Sequence, residues 1–214
     1  MASTLDLDPE RALALAYVPA QRRPAVEALW RLDVALGAVV AKAGDPMVAR
    51  IRLAWWREAL ERLDTNPPPP EPRLQAVATD LLPRGFRGAS LAKLEDGWAT
   101  MFDEEPDVER LLVRGALLFD LGARLLGATD PLIAVAGRLY AQQAYRHWGL
   151  APLHWPMEEM HQLHGHRFPR RLRPLTALAR LAARDARQSP TVEPEATPGR
   201  AAALLAHRLT GRVN

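Results

Sequence analysis

The sequence predicts an all-α fold in a single domain, and three observations support this prediction. Alanine, leucine and arginine dominate the 214 residues, and strand-forming residues are few, so the intrinsic preference is helical. Apolar residues recur at helical spacing in most segments, and no segment has a convincing strand pattern. Proline and glycine fall between these segments, where helices begin and end. The chain is also long enough to bury a substantial core.

The most strongly patterned segment is Pro46–Leu63. Asp45 precedes it at an N-cap position, and Pro46 suits the first helical position because its missing N–H costs nothing there. Two neighbouring apolar stripes run along this helix: Leu53, Trp56, Leu60 and Leu63 form one, and Val48, Ile51, Trp55 and Ala59 form the other. Two adjacent stripes predict a helix that is mostly enclosed, with the rest of the chain packed around it.

The remaining helices follow from similar patterns. Before the central helix, Asp8 caps a helix that ends at Tyr17, and Pro24 begins another that Gly44 closes. The Pro-rich segment Asn66–Pro72 predicts an exposed, semi-rigid linker. Further helical patterns occupy Arg73–Leu82, Ser90–Phe102 with Ser90 as its cap, Val108–Leu126, Leu132–Trp148, Met157–His164, Leu175–Arg187 and Gly199–Gly211.

The domain boundaries follow from these segments. We assign residues 1–187 to one helical domain, and residues 188–214 to a Pro-rich connection and a C-terminal helix packed on the same domain. Within the helix Val108–Leu126, three small residues predict close approach of a neighbouring helix. They are Gly115, Ala116 and Gly122.

Composition excludes several classes of function. The chain has no cysteine, so it has neither a disulfide framework nor a thiolate metal site. The net charge of +3 comes mostly from arginine, a bias that base composition of the genome produces, and we expect no nucleic-acid binding. A mild attraction to anionic lipid or phosphate is compatible with this charge. The N-terminus is no secretory signal, and no run approaches the roughly 18 apolar residues of a membrane span, so we expect a cytoplasmic protein that contacts membranes at most peripherally.

Three segments carry more specific motifs: Tyr17–Arg23 (YVPAQRR), Val26–Trp30 (VEALW) and Ile51–Leu60 (IRLAWWREAL). The double tryptophan is the most specific feature. In this order the three segments resemble the squalene/phytoene synthase family. The family has a Y-x-P-x-x-x-R segment, a following helix and a helix with the pattern R-L-x-W-W in this order. Weaker similarity continues at Gly115–Gly127 and Gly137–Trp148.

The resemblance implies an all-α bundle of the isoprenoid-synthase type around a deep apolar cavity, here shortened. Active members couple two prenyl diphosphates, and two D-x-x-x-D motifs on facing helices hold the Mg²⁺ ions that stabilise the departing diphosphate. The resemblance places Tyr17, Arg22 and Arg23 near the diphosphate end of the cavity, as residual phosphate-binding residues. It places Trp55 and Trp56 in the core and cavity wall. These five residues are the candidate substrate-binding set.

The aspartate motifs are where this chain departs from the family. Alignment on Ala28–Trp30 puts Gly37, Ala38 and Ala41 at the first motif, and Asp33 has no carboxylate one turn later. The second motif falls on Trp148 and Pro152. We therefore assign no catalytic residue, no metal ligand and no cofactor.

The resemblance without its aspartates predicts a catalytically degenerate member of the family. Such a protein would bind an isoprenoid or another lipid, or would help to assemble a membrane complex through a protein partner or a peripheral membrane contact. Non-catalytic relatives, including an assembly factor of mitochondrial respiratory complex I, likewise keep the tryptophan-containing helix without the aspartates. The alternative is an active prenyltransferase with rearranged metal ligands, which would require Mg²⁺. Whether the protein is an enzyme is left open, and the missing aspartates favour a protein without catalytic activity.

Two further clusters have both a functional and a structural interpretation. His161 and His164, with His154 and His166 nearby, could ligate zinc if an acidic residue joined them, but their spacing fits a surface helix better. The basic run Arg167–Arg173 could meet a phosphate, an acidic partner or a membrane surface. A solvated helix start is the favoured explanation of this run.

Overall fold

A computed structural model describes residues 7–144, 157–188 and 193–213. Within these ranges the chain forms helices and no β-strand, with one isolated bridge between Arg167 and Arg212. The all-α prediction is confirmed. The α-helices are α1 (Pro9–Ala16), α2 (Arg23–Ala41), α3 (Pro46–Arg62), α4 (Pro72–Asp80), α5 (Gly88–Ala92), α6 (Asp96–Ala99), α7 (Val108–Leu126), α8 (Ile133–Ala144), α9 (Met157–Gln162), α10 (Arg173–Gln188) and α11 (Pro198–Thr210).

Side-chain caps fix where several helices begin. The carboxylates of Asp8 and Asp45 accept hydrogen bonds from backbone N–H groups in the first turns of α1 and α3, as predicted. At the C-terminal end of α7, Gly127 adopts a left-handed conformation, with φ of 62°, and ends the helix. The predicted boundaries of these helices agree with the structure to within one or two residues.

The prediction for Ser90–Phe102 was wrong in two respects. The segment is divided into α5, α6 and a 3-10 turn at Thr100–Phe102, and α5 already begins at Gly88. The cap is Asp64, whose two carboxylate oxygens accept hydrogen bonds from the backbone N–H groups of Gly88 (2.6 Å) and Ala89 (3.2 Å). Ser90 therefore does not cap this helix, because a distant carboxylate satisfies its first N–H groups.

The centre of the core is α2 rather than α3. Leu29, Trp30, Leu32 and Leu36 of α2 are almost completely buried. This helix contacts α1, α3, α4, α6 and α7, whereas extensive contacts to α3 come from α2, α5 and α6. The expectation that the chain packs around α3 was therefore wrong.

Only one of the two apolar stripes on α3 is fully enclosed. The stripe that contains Leu53 and Trp56 is buried, as predicted. In the second stripe, Ala59 is buried, but Val48, Ile51 and Trp55 are 44%, 62% and 47% exposed. The prediction of a mostly enclosed helix was wrong, because the helices in extensive contact with α3 cover one side of it.

The most extensive helix pair in the described residues is α7 with α8. A Cβ atom built on Gly115 would overlap the carbonyl oxygen of Gly137, and one on Gly137 would overlap that of Gly115. Gly122 lies against Leu175 of α10, and its Cβ would come 3.0 Å from that side chain. The predicted role of Gly115 and Gly122 in close helix approach is confirmed.

Some predictions fall outside the described residues. The helix predicted over Leu132–Trp148 is described only as far as Ala144, and the loop predicted at Gly149–Pro156 is not described. The connection predicted at Gln188–Pro198 is described from residue 193 onward. Among the described helices, none combines the length and apolar character needed to cross a membrane.

Candidate functional site

A buried ion pair lies beside the residues that align with the first aspartate motif. Asp33 of α2 and Arg114 of α7 are 2% and 1% exposed, and the Arg114 guanidinium donates a hydrogen bond to the Asp33 carboxylate. The indole Nε1 of Trp98 donates to the same carboxylate oxygen at 3.1 Å. The Arg114 guanidinium also stacks 3.9 Å from the centre of the Trp98 ring. Asp33 is thus held between a cation and an indole N–H.

A second, partly buried ion pair lies near the first. Arg11 of α1 forms an ion pair with Asp8 and donates a hydrogen bond to the Tyr140 hydroxyl of α8. Burial opposes the charge on Arg11, but the nearby Tyr140, Asp8 and Asp33 outweigh this effect and raise the pKa of Arg11. Burial also raises the pKa of Tyr140, so its hydroxyl stays protonated.

The charges of this interior cluster balance. The cluster consists of Asp8, Asp33, Arg11 and Arg114, two carboxylates and two guanidiniums, together with Trp98 and Tyr140. A Mg²⁺ ion takes oxygen ligands and is bound where carboxylates supply negative charge that no cation already neutralises. Here each carboxylate is already paired with an arginine, so these residues do not fit a magnesium site.

The surface beside the residues that align with the first aspartate motif is apolar and basic. A groove of about 170 Å³ runs between α2 and α3 there. Its lining residues are Val34, Ala35, Ala38, Val39, Lys42, Arg52, Trp56 and Arg73, and none of them is acidic. Ala38, which aligns with an aspartate position of the family, therefore lies beside cationic side chains. Such a wall repels a divalent cation.

Tyr17 lines a separate groove of about 370 Å³ at the end of α1. The groove is completed by α10, α11 and the turn before α10 through Arg170, Arg173, Pro174, Arg208 and Leu209. The guanidinium of Arg208 lies 4.2 Å from the centre of the Tyr17 ring. Tyr17 therefore contacts Arg208 rather than Arg22 or Arg23.

Arg22 and Arg23 each donate hydrogen bonds to backbone carbonyl groups. Arg22 Nη1 donates to the carbonyl oxygen of Leu125, near the end of α7, at 2.8 Å. Arg23 Nη2 donates to the carbonyl of Val18 at 3.2 Å. Both arginines thereby satisfy carbonyl groups near helix C-termini. Their residual phosphate-binding role stays a prediction.

The two tryptophans of α3 have different environments. Trp56 is 8% exposed and Trp55 is 47% exposed, and their rings meet edge to face with centroids 5.4 Å apart. Trp55 borders a groove of about 310 Å³ that it shares with Pro67 and Pro69. The grooves beside the tryptophans share no lining residue with the groove at Tyr17. The five candidate residues are thus distributed over separate surfaces.

The histidines do not assemble a metal centre in the part of the chain that the structure describes. No group of three or more histidine or acidic side chains comes together there as metal ligands. His166 instead contacts the Asp130 carboxylate through Nε2 at 2.9 Å and packs against Phe168. His154 lies outside the described residues.

Comparison with known proteins now adds to this geometry. The model of the squalene/phytoene synthase family matches residues 6–99. Over these residues the chain is similar to the squalene/phytoene synthase family. The match spans α1 to α6 and therefore includes Asp33, both tryptophans of α3 and Trp98. Neither the curated proteins nor the solved structures gave a match.

The family match and the helical architecture are together consistent with the predicted isoprenoid-synthase type of fold. Arg114 was not predicted as a functional residue, although its position in the sequence has a recognisable pattern. Arg114 lies one turn from Leu111 and from Leu118, so a charged side chain interrupts the buried stripe of α7. A buried charge requires a partner, and this could have directed attention to Asp33. Arg208 carries no comparable pattern.

Proposed function

We propose that this chain is a catalytically degenerate squalene/phytoene-synthase-like protein that acts by binding at a membrane surface, as a lipid-binding protein or an assembly helper. The observation that carries the proposal is the pairing of Asp33 with Arg114 and Trp98. Asp33 is the only acidic residue between Ala28 and Asp45, the segment that aligns with the first metal-binding motif.

Ionisation of a prenyl diphosphate needs metal ions to stabilise the departing anion. Asp33 is committed to Arg114, and the groove beside Ala38 carries Lys42, Arg52 and Arg73. These features support a protein that has kept the architecture of the family without its reaction. They offer no support to the alternative of an active prenyltransferase with rearranged ligands.

The exposed stripe of α3 supports a binding role. Met47, Val48, Ile51 and Trp55 are all at least 44% exposed and lie within three turns of one helix. An apolar patch on a helix, with tryptophan on one side and arginine on the other, is typical of a helix that rests in a membrane interface. Arg52 is exposed beside Ile51 and would meet anionic headgroups. No membrane span is needed for such a contact.

We predict that replacing the apolar side chains of this stripe weakens binding to membranes. The variant Ile51→Gln/Trp55→Gln should bind vesicles of mixed neutral and anionic phospholipid about tenfold or more weakly than the parent, because each side chain loses roughly 1 kcal/mol or more of apolar burial. Co-sedimentation with vesicles over a range of lipid concentrations measures this effect.

The matched control is Val113→Gln on α7, because Val113 is also about half exposed (52%) but lies on another helix. It should bind like the parent. Equal binding by all three proteins, or no binding by the parent, would contradict the proposed role of α3.

A further inference from the structure

The groove at Tyr17 brings together cationic side chains that are far apart in sequence. Arg170 and Arg173 come from the start of α10 and the turn before it, and Arg208 comes from the last turn of α11. Of the lining residues, only Tyr17 belongs to the part of the chain that matches the family. The groove is therefore a feature of this chain's C-terminal helices rather than of the matched region.

Arg173 is held in place by backbone carbonyl groups. Its Nη1 donates to the carbonyl oxygens of Arg208 (2.8 Å) and Leu209 (2.9 Å), and its Nε donates to that of Phe168 (3.2 Å). These bonds fix the guanidinium at the C-terminal end of α11. A fixed guanidinium loses little conformational freedom when it binds a ligand.

The positive charge in this groove is not neutralised by acidic side chains. None of the six lining residues is acidic. Across the described ranges, none of the ion pairs involves Arg170, Arg173 or Arg208. Burial lowers the pKa of Arg173, and the positive charges of Arg167 and Arg170 lower it further. An anion in the groove would relieve this repulsion.

The ring of Tyr17 positions Arg208 at the groove. The Arg208 guanidinium lies 4.2 Å from the centre of the Tyr17 ring, and this contact orients it. The Tyr17 hydroxyl is buried, so a ligand in the groove does not contact it.

We propose that this groove binds a phosphate group, carried either by a small molecule or by a lipid headgroup. Three guanidiniums match the charge of a phosphate dianion better than that of a carboxylate, and their N–H groups can bind several of its oxygens at once. The site is separate from the exposed stripe of α3.

The test titrates the protein with inorganic phosphate by calorimetry, and with vesicles of phosphatidylcholine with and without phosphatidic acid by co-sedimentation. The variant Arg170→Gln should weaken binding about tenfold, because a charged hydrogen bond is lost. The control is Arg187→Gln, an exposed arginine at the other end of α10 that costs the same net charge.

Two results would support the proposal and identify the source of the phosphate. Binding of inorganic phosphate that depends on Arg170 indicates a soluble ligand, and binding of phosphatidic acid vesicles alone with the same dependence indicates a headgroup. The proposal is overturned if neither probe binds saturably. It is also overturned if Arg170→Gln and Arg187→Gln weaken binding equally, because net charge alone would then explain the affinity.

Discussion

The pairing of Asp33 determines which ions or groups its carboxylate can bind. Its carboxylate is almost inaccessible to solvent and is bonded to Arg114 and Trp98. Breaking a buried pair leaves an uncompensated charge in the interior, at a cost of roughly 3–5 kcal/mol, so the partner of Asp33 cannot easily be exchanged for a metal ion. The proposed loss of the family's reaction rests on this pairing.

His207 provides a prediction about pH. It is buried, its Nδ1 lies 2.8 Å from the carbonyl oxygen of Arg212, and its Nε2 lies 2.9 Å from the Thr176 hydroxyl. A carbonyl oxygen only accepts, so Nδ1 carries the proton of the neutral ring. Burial lowers the pKa of His207 to about 4, although the bond to Arg212 opposes this shift. The folded protein thus keeps His207 neutral under conditions in which the unfolded chain protonates it.

We predict that this histidine destabilises the protein as the pH falls from about 6.5 to about 4. In that window the unfolded chain binds one more proton, so the free energy of unfolding should decrease by as much as about 3 kcal/mol on account of His207. Urea denaturation across this window should show a shallower decrease for His207→Asn than for the parent. The exposed His161 serves as a control, and His161→Asn should follow the parent. Identical slopes for the parent and His207→Asn would contradict the assignment.

At the scale of helices, the contact between α7 and α8 depends on glycine. Gly115 and Gly137 face each other so closely that a Cβ on either would overlap the other's carbonyl oxygen. Without that overlap, alanine would stabilise a helix interior by up to about 1 kcal/mol relative to glycine. Whether replacement of Gly115 by alanine raises or lowers stability therefore tests how closely α7 and α8 pack.

We predict that Gly115→Ala lowers the free energy of unfolding by roughly 1–3 kcal/mol or more, because the two helices must move apart. Thermal or urea denaturation measures the change. Gly44→Ala is the matched control, since a Cβ there meets nothing within 4 Å, and it should be neutral or slightly stabilising. A stabilised Gly115→Ala variant would show that α7 and α8 do not pack this closely.

The helices also show which features a sequence can predict. The caps at Asp8 and Asp45 and the boundaries of α7 follow from local patterns, and the structure agrees with them. The cap of α5 was missed because Asp64 lies on a preceding segment. The exposure of Ile51 and Trp55 was also missed, because periodicity identifies an apolar stripe without showing which other helix will cover it.

At the scale of the whole molecule, the fold class was predictable and the candidate sites were only partly so. Helical periodicity predicted the fold class, and the segments Tyr17–Arg23 and Ile51–Leu60 carried the resemblance to the family, which the match to residues 6–99 supports. The groove at Tyr17 depends on Arg208, which only the packing of α11 against α10 brings near α1. Long-range packing of this kind leaves no pattern in a single sequence.

The central proposal is that this protein binds a membrane surface without catalysing the reaction of the family. The most direct test is incubation of the protein with farnesyl diphosphate or geranylgeranyl diphosphate and Mg²⁺, with measurement of released diphosphate. We predict no release above that of a protein-free control, because the carboxylates of the interior cluster are neutralised by arginine. Release of diphosphate that requires both the protein and Mg²⁺, and that is lost in Asp33→Asn, would contradict the account.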